Sequence, residues 1–167
     1  MEKSFSESLK EIQLPETIRE IGEDAFHSDK ALVNINIPNS LSKIGAGAFA
    51  LTALTNVDLS HLSIDRIADE TFLLCADLKS IKLPPSVKEI GDEAFSHSAI
   101  TNGDYSNLQI EKVGERAFAF CDGIKHVVFP ETLQELGFRA VYDLSYGGSI
   151  TVEFRGPPPK MSEDVFT

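Results

Sequence analysis

The stretch IDRIADETFLLCADLKSIKLP, from Ile64 to Pro84, recurs along this chain with a period of 23 residues. Its phenylalanine belongs to a column made of Phe26, Phe49, Phe72, Phe95 and Phe118, with Val141 at the next position. Five residues before that column stand Ile21, Ile44, Ile67, Ile90, Val113 and Leu136, each followed by a member of the column Gly22, Gly45, Ala68, Gly91, Gly114 and Gly137. A fixed period of this length is the signature of stacked repeats, so the chain is predicted to form a solenoid of about six 23-residue units.

Each unit also contains a short run typical of a β-strand. The runs begin at Leu9, Leu32, Leu54, Leu78, Ile100, Ile124 and Ile150. Apolar and polar residues alternate at their ends, as in Ile35-Asn36-Ile37, which predicts a sheet with one side buried and the other exposed. The distance from each phenylalanine to the next run alternates between six and five residues, so the true period is 46 residues.

The segment between the glycine and phenylalanine columns is rich in carboxylates, as in Gly22-Glu23-Asp24-Ala25-Phe26. We interpret it as one short helical turn, whose carboxylates cap free N–H groups and lie at the positive end of the helix dipole. The alternative is that these carboxylates bind a cation or form an acidic docking surface.

Composition and charge exclude several classes of function. The 167 residues are 42% hydrophobic, enough for one continuous core. The formal net charge is −11, and neither duplex nucleic acid nor an anionic membrane surface is a good partner for such a chain. The sequence contains no signal-peptide pattern and no apolar run of membrane-spanning length, so we expect no membrane insertion.

The pattern Ile-x-x-Ile-Gly-x-x-Ala-Phe-x-x-Cys-x-x-Leu-x-x-Ile-x-Leu-Pro, nearly complete over residues 64–84 and 87–106, resembles the BspA-type leucine-rich repeats. The resemblance covers roughly Leu9 to Phe154. It implies an α/β repeat solenoid, a right-handed superhelix with a parallel sheet on one face and short helical turns on the other. It also implies a secreted or cell-surface protein that acts in adhesion or protein recognition.

Three segments are predicted: an N-terminal lead-in over residues 1–8, the solenoid over 9–154, and a Pro-rich turn with a partial final repeat over 155–167. Two departures from the period lie inside the solenoid. Gly103 takes a position that is Ile or Val in other strands, so the fifth strand should be the weakest part of the sheet. Residues 142–149 are extra and predict a protruding loop. The unfinished last repeat suggests a piece of a longer array, or an end that something else covers.

The sequence contains no pattern that indicates catalysis, a metal site or a cofactor. Cys75 and Cys121 occupy the same position in units two apart, roughly 10 Å from each other at one strand spacing of about 4.8 Å per unit, and this is too far for a disulfide. We predict two free, buried thiols rather than a redox or metal pair. The four histidines, His27, His61, His97 and His126, fall in different columns and are expected at the surface.

The predicted binding surface is the exposed side of the sheet, where stacked repeats usually bind ligands. Its candidate residues are Asn34, Asn36, Asn56, Asp58, Ser80, Lys82, Asn102, Asp104, His126 and Val128. Tyr142 and Tyr146 in the extra loop are a second candidate, with simple loop packing as the alternative. We expect an extracellular protein or glycan as the partner, and weak self-association through a terminal repeat. The competing hypothesis is a structural spacer within a longer array, with no ligand of its own.

Overall fold

The computed structural model describes residues 9–144, 149–162 and 164–166. The predicted lead-in over residues 1–8 lies outside this range. Numbered in chain order, the strands are β1 (Glu11–Gln13), β2 (Glu20–Ile21), β3 (Asn34–Asn36), β4 (Lys43–Ile44), β5 (Asn56–Asp58), β6 (Arg66–Ile67), β7 (Ser80–Lys82), β8 (Glu89–Ile90), β9 (Lys112–Val113), β10 (His126–Phe129), β11 (Glu135–Leu136), β12 (Thr151–Phe154) and β13 (Lys160–Met161). Each repeat thus contributes one or two short strands to a solenoid.

The strands of three or four residues form what we call the primary sheet, which consists of parallel pairs that follow one another along the array. β1 pairs with β3, β5 with β7, and β10 with β12. The ladder is interrupted after β3 and after β7, which are the two places where the connection to the next strand is one residue shorter. The alternating 46-residue period of the sequence therefore appears in the structure as alternating strand pairing.

The two-residue strands form the secondary sheet. It is continuous from β6 through β8, β9 and β11 to β13, and a separate pair joins β2 to β4. Each of these strands except β13 places one residue of the isoleucine column in the core, as Ile67 and Ile90 show. In the glycine column the backbones of neighbouring repeats approach closely: a Cβ built on Gly91 would lie 2.8 Å from the carbonyl carbon of Ala68. This contact explains why glycine predominates in the column.

The prediction of short helical turns is wrong, because the described residues contain no helix. The carboxylate-rich segments form consecutive turns in which alternate residues donate their N–H groups to the next repeat. Asp24, Phe26 and Ser28 begin this turn ladder, with N–H to carbonyl distances of 2.8–2.9 Å. Asp24 and Ser28 have φ values of 52° and 64°, and the corresponding positions of later repeats are also left-handed. A right-handed helix cannot pass through such residues.

The carboxylates of these segments consequently do not cap helices. The side chain of Asp69 accepts the N–H of Asp92 at 2.9 Å, and the side chain of Asp92 accepts the N–H of Glu115 at 2.8 Å. Both bonds join one repeat to the next. The carboxylates thus strengthen the stacking of repeats, which a single-repeat view of the sequence could not reveal.

The phenylalanine column forms the centre of the core. Successive rings from Phe26 to Phe118 are stacked, with centroids 5.4–5.6 Å apart. All but Phe26 are fully buried. Such offset pairs contribute about 0.5–1.5 kcal/mol each beyond the burial of their area. The repeat spacing is therefore fixed by aromatic contacts in the core as well as by backbone hydrogen bonds.

Candidate functional site

The exposed side of the primary sheet brings most of the predicted site residues into two rows. The first row contains Asn34, Asn56, Ser80, Asn102 and His126, all exposed. The second contains Asp58, Lys82 and Asp104, also exposed. The pairings Asn56 with Ser80 and Asp58 with Lys82 show that the rows follow the register of the strands.

Two predicted residues are placed differently. Val128 was expected to be exposed but is buried, with 4% of its surface accessible, and it lies in register between Asp104 and Glu153. Asn36 is half-buried, and its side-chain amide both donates to and accepts from the backbone of Leu14. Asn36 thus closes the end of β1 and β3, a role that competes with ligand binding.

The exposed rows extend one repeat further than the sequence predicted. Thr151 pairs with His126, and Glu153 follows it on β12. Glu153 lies 3.0 Å from the guanidinium of Arg155 and 3.6 Å from His126 Nε2. The strand starting at Ile150 was recognised in the sequence, but its exposed residues were not included among the candidates.

The primary sheet is interrupted at the fifth repeat, which contains Gly103. Residues 100–105 contribute only an isolated bridge between Asp104 and Val128. The physical reason goes beyond a missing side chain: a Cβ on Gly103 would lie 2.1 Å from the carbonyl oxygen of His126. The backbone itself occupies the space that a side chain fills in other strands.

A groove follows this interruption. A cavity of about 290 Å³ opens beside β7, with Lys82, Asn102 and Asp104 among its lining residues. A second depression of about 570 Å³ adjoins it and extends to Arg155. Asn107 and Leu108 line both, so we treat them as one feature, the fifth-repeat groove.

The carboxylates near the groove are held in the ionised state. A hydrogen bond with Lys82 at 2.8 Å, together with bonds from Ser60, lowers the pKa of Asp58 well below its usual value. Hydrogen bonds from Ser106 lower the pKa of Asp104, and the charges on Arg155 and His126 act in the same direction. The groove therefore presents fixed charges and amides, which suit the hydroxyl and amide groups of a polar ligand.

The two cysteines are free and buried, as predicted. Each donates a hydrogen bond to a backbone carbonyl of the preceding repeat, Cys75 to Phe49 at 3.0 Å and Cys121 to Phe95 at 3.1 Å. Burial raises the pKa of both thiols, that of Cys121 to about 12. Protonated, hydrogen-bonded thiols of this kind serve packing, and they lack the thiolate character that reactive cysteines need.

All four histidines are exposed, which confirms their expected position. Among the described residues, no group of three or more His, Cys, Asp or Glu side chains is arranged to hold a metal ion. The described part of the chain also contains no helix that could span a membrane.

Tyr142 belongs to the turn ladder, where its carbonyl accepts the N–H of Phe120 at 2.9 Å. Its ring meets Phe120 edge-on at 5.3 Å, and the guanidinium of Arg139 lies 4.8 Å from its centre. Tyr146, the other aromatic candidate, lies outside the described residues.

A family model for the BspA type leucine rich repeat region matches residues 2–109 and 100–155, with six copies of the repeat. The chain belongs to this family. The repeat count agrees with the prediction from the phenylalanine column. The family model describes the repeat architecture and leaves the ligand open.

Three solved structures of leucine-rich proteins show the same fold. A leucine-rich repeat protein from Bacteroides ovatus is 21% identical, with a TM-score of 0.62, over 87% of this chain and 43% of that one. A leucine rich cell surface protein from Faecalibacterium prausnitzii is 17% identical, with a TM-score of 0.54, over 91% and 60% of the two chains. The leucine-rich repeat protein of T. pallidum is 23% identical, with a TM-score of 0.51, over 81% and 55%.

The chain spans about half the length of these three structures. No curated protein sequence is similar enough to this BspA-type chain to count as a relative.

Proposed function

We propose that these BspA-type repeats form a non-catalytic recognition module that binds an extracellular protein or glycan through the primary sheet and the fifth-repeat groove. The observation that carries the proposal is the groove itself, a concave feature beside Lys82, Asn102 and Asp104 at a point where the primary sheet is interrupted. Ligand sites are commonly concave features with a few well-placed polar groups. A location at the cell surface or outside the cell is part of the proposal, supported by the surface protein from F. prausnitzii that shares the fold.

The chemistry of the groove favours a polar ligand. Its lining combines amides, hydroxyls and charges of both signs, and the nearby Tyr105 ring is buried, with its hydroxyl bonded to the Asn102 carbonyl at 3.0 Å. Hot spots of tight protein interfaces are enriched in exposed Trp, Tyr and Arg. Here Arg155 is the nearest residue of that kind, so we expect a binding energy spread over many hydrogen bonds.

The test compares two variants with the same added charge. In the first, Asn34, Asn56, Ser80 and Asn102 on the primary sheet are all changed to Arg. In the second, the control, the change is made at four exposed polar residues outside the sheet, Thr17, Asn39, Ser63 and Gln134. Both are applied to arrays of extracellular matrix proteins and glycans. Binding that is lost in the first variant and kept in the second supports the proposal, whereas equal binding of both variants contradicts it.

A structural spacer is the second candidate. It is favoured by the side chains of the sheet that are already engaged with each other, such as Asp58 with Lys82 and Glu153 with Arg155. The share of the solved structures that the chain covers is in keeping with one stretch of a longer array. Failure of the unmodified chain to bind any array member at micromolar concentration would favour this candidate.

Weak self-association through a terminal repeat also remains a proposal. In the last described repeat, Met161 on β13 and Phe166 each expose 44% of their surface. Sedimentation equilibrium should show a mass that rises with concentration and returns to the monomer value when Met161 is changed to Lys. A constant monomer mass would remove the idea.

A further inference from the structure

The secondary sheet has one break within the described residues, between β4 of the second repeat and β6 of the third. At the next junction, Lys88 donates to the carbonyl of Asp65 at 2.7 Å and Gly91 to that of Ile67 at 2.9 Å. Among the described residues, the equivalent bonds from Asp65 and Ala68 to the second repeat are absent. A cleft of about 540 Å³ opens there instead, within the size range of small-molecule sites.

The cause of the break is Ala68, the single alanine in the glycine column. A Cβ at the glycine of another repeat would lie 2.5–2.9 Å from backbone atoms of the repeat before it, as calculated for Gly45. Ala68 carries that Cβ, so the third repeat cannot approach the second as closely as glycine permits. The sequence therefore encodes the cleft directly.

The hydrogen bonds between the third and fourth repeats indicate which chemical group fits the cleft. The carboxylate of Asp69 in the third repeat accepts the N–H of Asp92 in the fourth at 2.9 Å, and the same oxygen accepts from the Arg66 guanidinium at 2.8 Å. One carboxylate, one cation and one backbone N–H thus form a set in which each group has a hydrogen-bond partner. Hydrogen bonds between charged partners of this kind are among the strongest in proteins.

One repeat earlier, the carboxylate of this set is replaced by a methyl group. Lys43 occupies the position of Arg66, and the N–H of Asp69 occupies that of Asp92, but Ala46 stands where Asp69 would be. Within the described residues, the N–H of Asp69 has no acceptor. In the described part of the chain, the only carboxylate that the Lys43 ammonium reaches is Glu20, at 3.8 Å and with both side chains largely exposed.

We propose that the cleft between β4 and β6 binds the carboxylate group of a small ligand or of a peptide C-terminus. The ligand carboxylate accepts the N–H of Asp69 and pairs with Lys43, as the Asp69 carboxylate does with Asp92 and Arg66. The unpaired backbone groups of Ser42–Gly45 and Asp65–Ala68 are then available to the rest of the ligand, and they match the alternating donors and acceptors of an extended peptide. The charge of Asp69 is already paired with Arg66, which limits its repulsion of the ligand.

The proposal is tested by NMR titration of the isotope-labelled chain with three probes: sodium acetate, acetyl-Ala-Ala with a free C-terminus, and its amide. We expect the Asp69 amide signal to shift with the two carboxylates, and the free peptide to bind roughly tenfold more tightly than its amide. A peptide that binds more tightly than acetate identifies a C-terminus as the better ligand, and equal affinity identifies any small carboxylate. The amides of Asp92 and Glu115 already have carboxylate partners and serve as internal controls.

Two variants make the test specific. Ala46→Asp supplies the carboxylate from the chain itself and should abolish the shift, while Ala76→Asp adds the same charge at an exposed alanine outside the cleft and should leave it unchanged. Equal binding of the peptide and its amide, or unchanged binding by Ala46→Asp, would overturn the proposal.

Discussion

Replacement of Ala68 by Gly should stabilise the chain, although glycine usually destabilises regular structure. The glycine removes the Cβ that separates β4 from β6, so the third repeat can approach the second as the fourth approaches the third. At the β6–β8 junction, three backbone hydrogen bonds join the third repeat to the fourth, and their donors are the N–H groups of Lys88, Glu89 and Gly91. Each such bond contributes about 0.5–1.5 kcal/mol net.

The expected gain follows from these values. Two to three new bonds give about 1–4 kcal/mol, and the extra backbone entropy of glycine subtracts about 0.5–1 kcal/mol. The net change in the free energy of unfolding is about 0 to +3.5 kcal/mol. Urea denaturation measures it, and amide hydrogen exchange at Arg66 and at position 68 reports whether the ladder has formed.

The reverse substitution in the next repeat is the matched control. A Cβ on Gly91 would lie 2.7 Å from the Asp69 nitrogen, so Gly91→Ala should open that junction and cost about 1–4 kcal/mol through the same bonds. If Ala68→Gly lowers stability by about 1 kcal/mol, as in an ordinary exposed segment, the alanine does not cause the break.

Four further predictions concern the core and the candidate site. Phe72→Ala removes a buried ring from the stacked column and should cost about 3–5 kcal/mol in urea denaturation, and a loss under about 1 kcal/mol would contradict a core role. Gly103→Ala forces a Cβ against the His126 carbonyl and should cost about 1–3 kcal/mol, with neutrality in the same assay as the refuting result. The Cys121 thiol, with its pKa raised to about 12 by burial, should react with a disulfide reagent at pH 8 only as fast as the chain unfolds, and immediate labelling would show that it is accessible. The lowered pKa of Asp58 implies a contribution to stability that is complete above the ordinary carboxyl pKa of about 3.9 and is lost as the pH falls through the lowered value. Lys82→Met should therefore flatten the acid side of a plot of unfolding free energy against pH, measured in low salt. An unchanged plot would mean that the pair of Asp58 and Lys82 contributes nothing to stability.

The repeat architecture could be predicted from the sequence because its evidence is redundant. The phenylalanine and isoleucine columns each recur in successive units, so a single substitution such as Val141 does not obscure the period. Exposed and buried sides of the primary sheet followed from alternation within each strand. The free state of the cysteines followed from repeat spacing alone.

The helical turns could not be excluded from the sequence, and the reason is physical. Glu, Asp and Ala are compatible with a first helical turn, and the residues at the left-handed positions are mostly not glycine, as Glu70 and Glu93 show. What decides the conformation is the hydrogen bonding of alternate N–H groups to the next repeat. These hydrogen bonds join different repeats, so the sequence of a single segment does not reveal them.

The position of Val128 could not be predicted for a related reason. Alternation places it on the exposed side of β10, as predicted, but burial also depends on the neighbouring strands. Asp104 and Glu153 lie in register on either side of it, and Glu153 lies 3.6 Å from His126 Nε2 and forms an ion pair with Arg155. The exposure of a side chain in a sheet therefore depends on the residues of both neighbouring strands as well as on its own strand.

Departures from the period are where this molecule differs from a uniform array. In a solenoid, each repeat contacts only its neighbours, so one altered residue changes one junction and leaves the others intact. Gly103 interrupts the primary sheet beside the fifth-repeat groove, and Ala68 interrupts the secondary sheet at the cleft. Each of these two cavities thus lies beside a residue that breaks a column. At the cleft, where the missing residue is a glycine, restoring the column is a direct way to remove the cavity without disturbing the fold. Ala68→Gly should therefore abolish carboxylate binding at the cleft while leaving the fifth-repeat groove and its ligand unaffected, a separation that a general loss of stability could not produce.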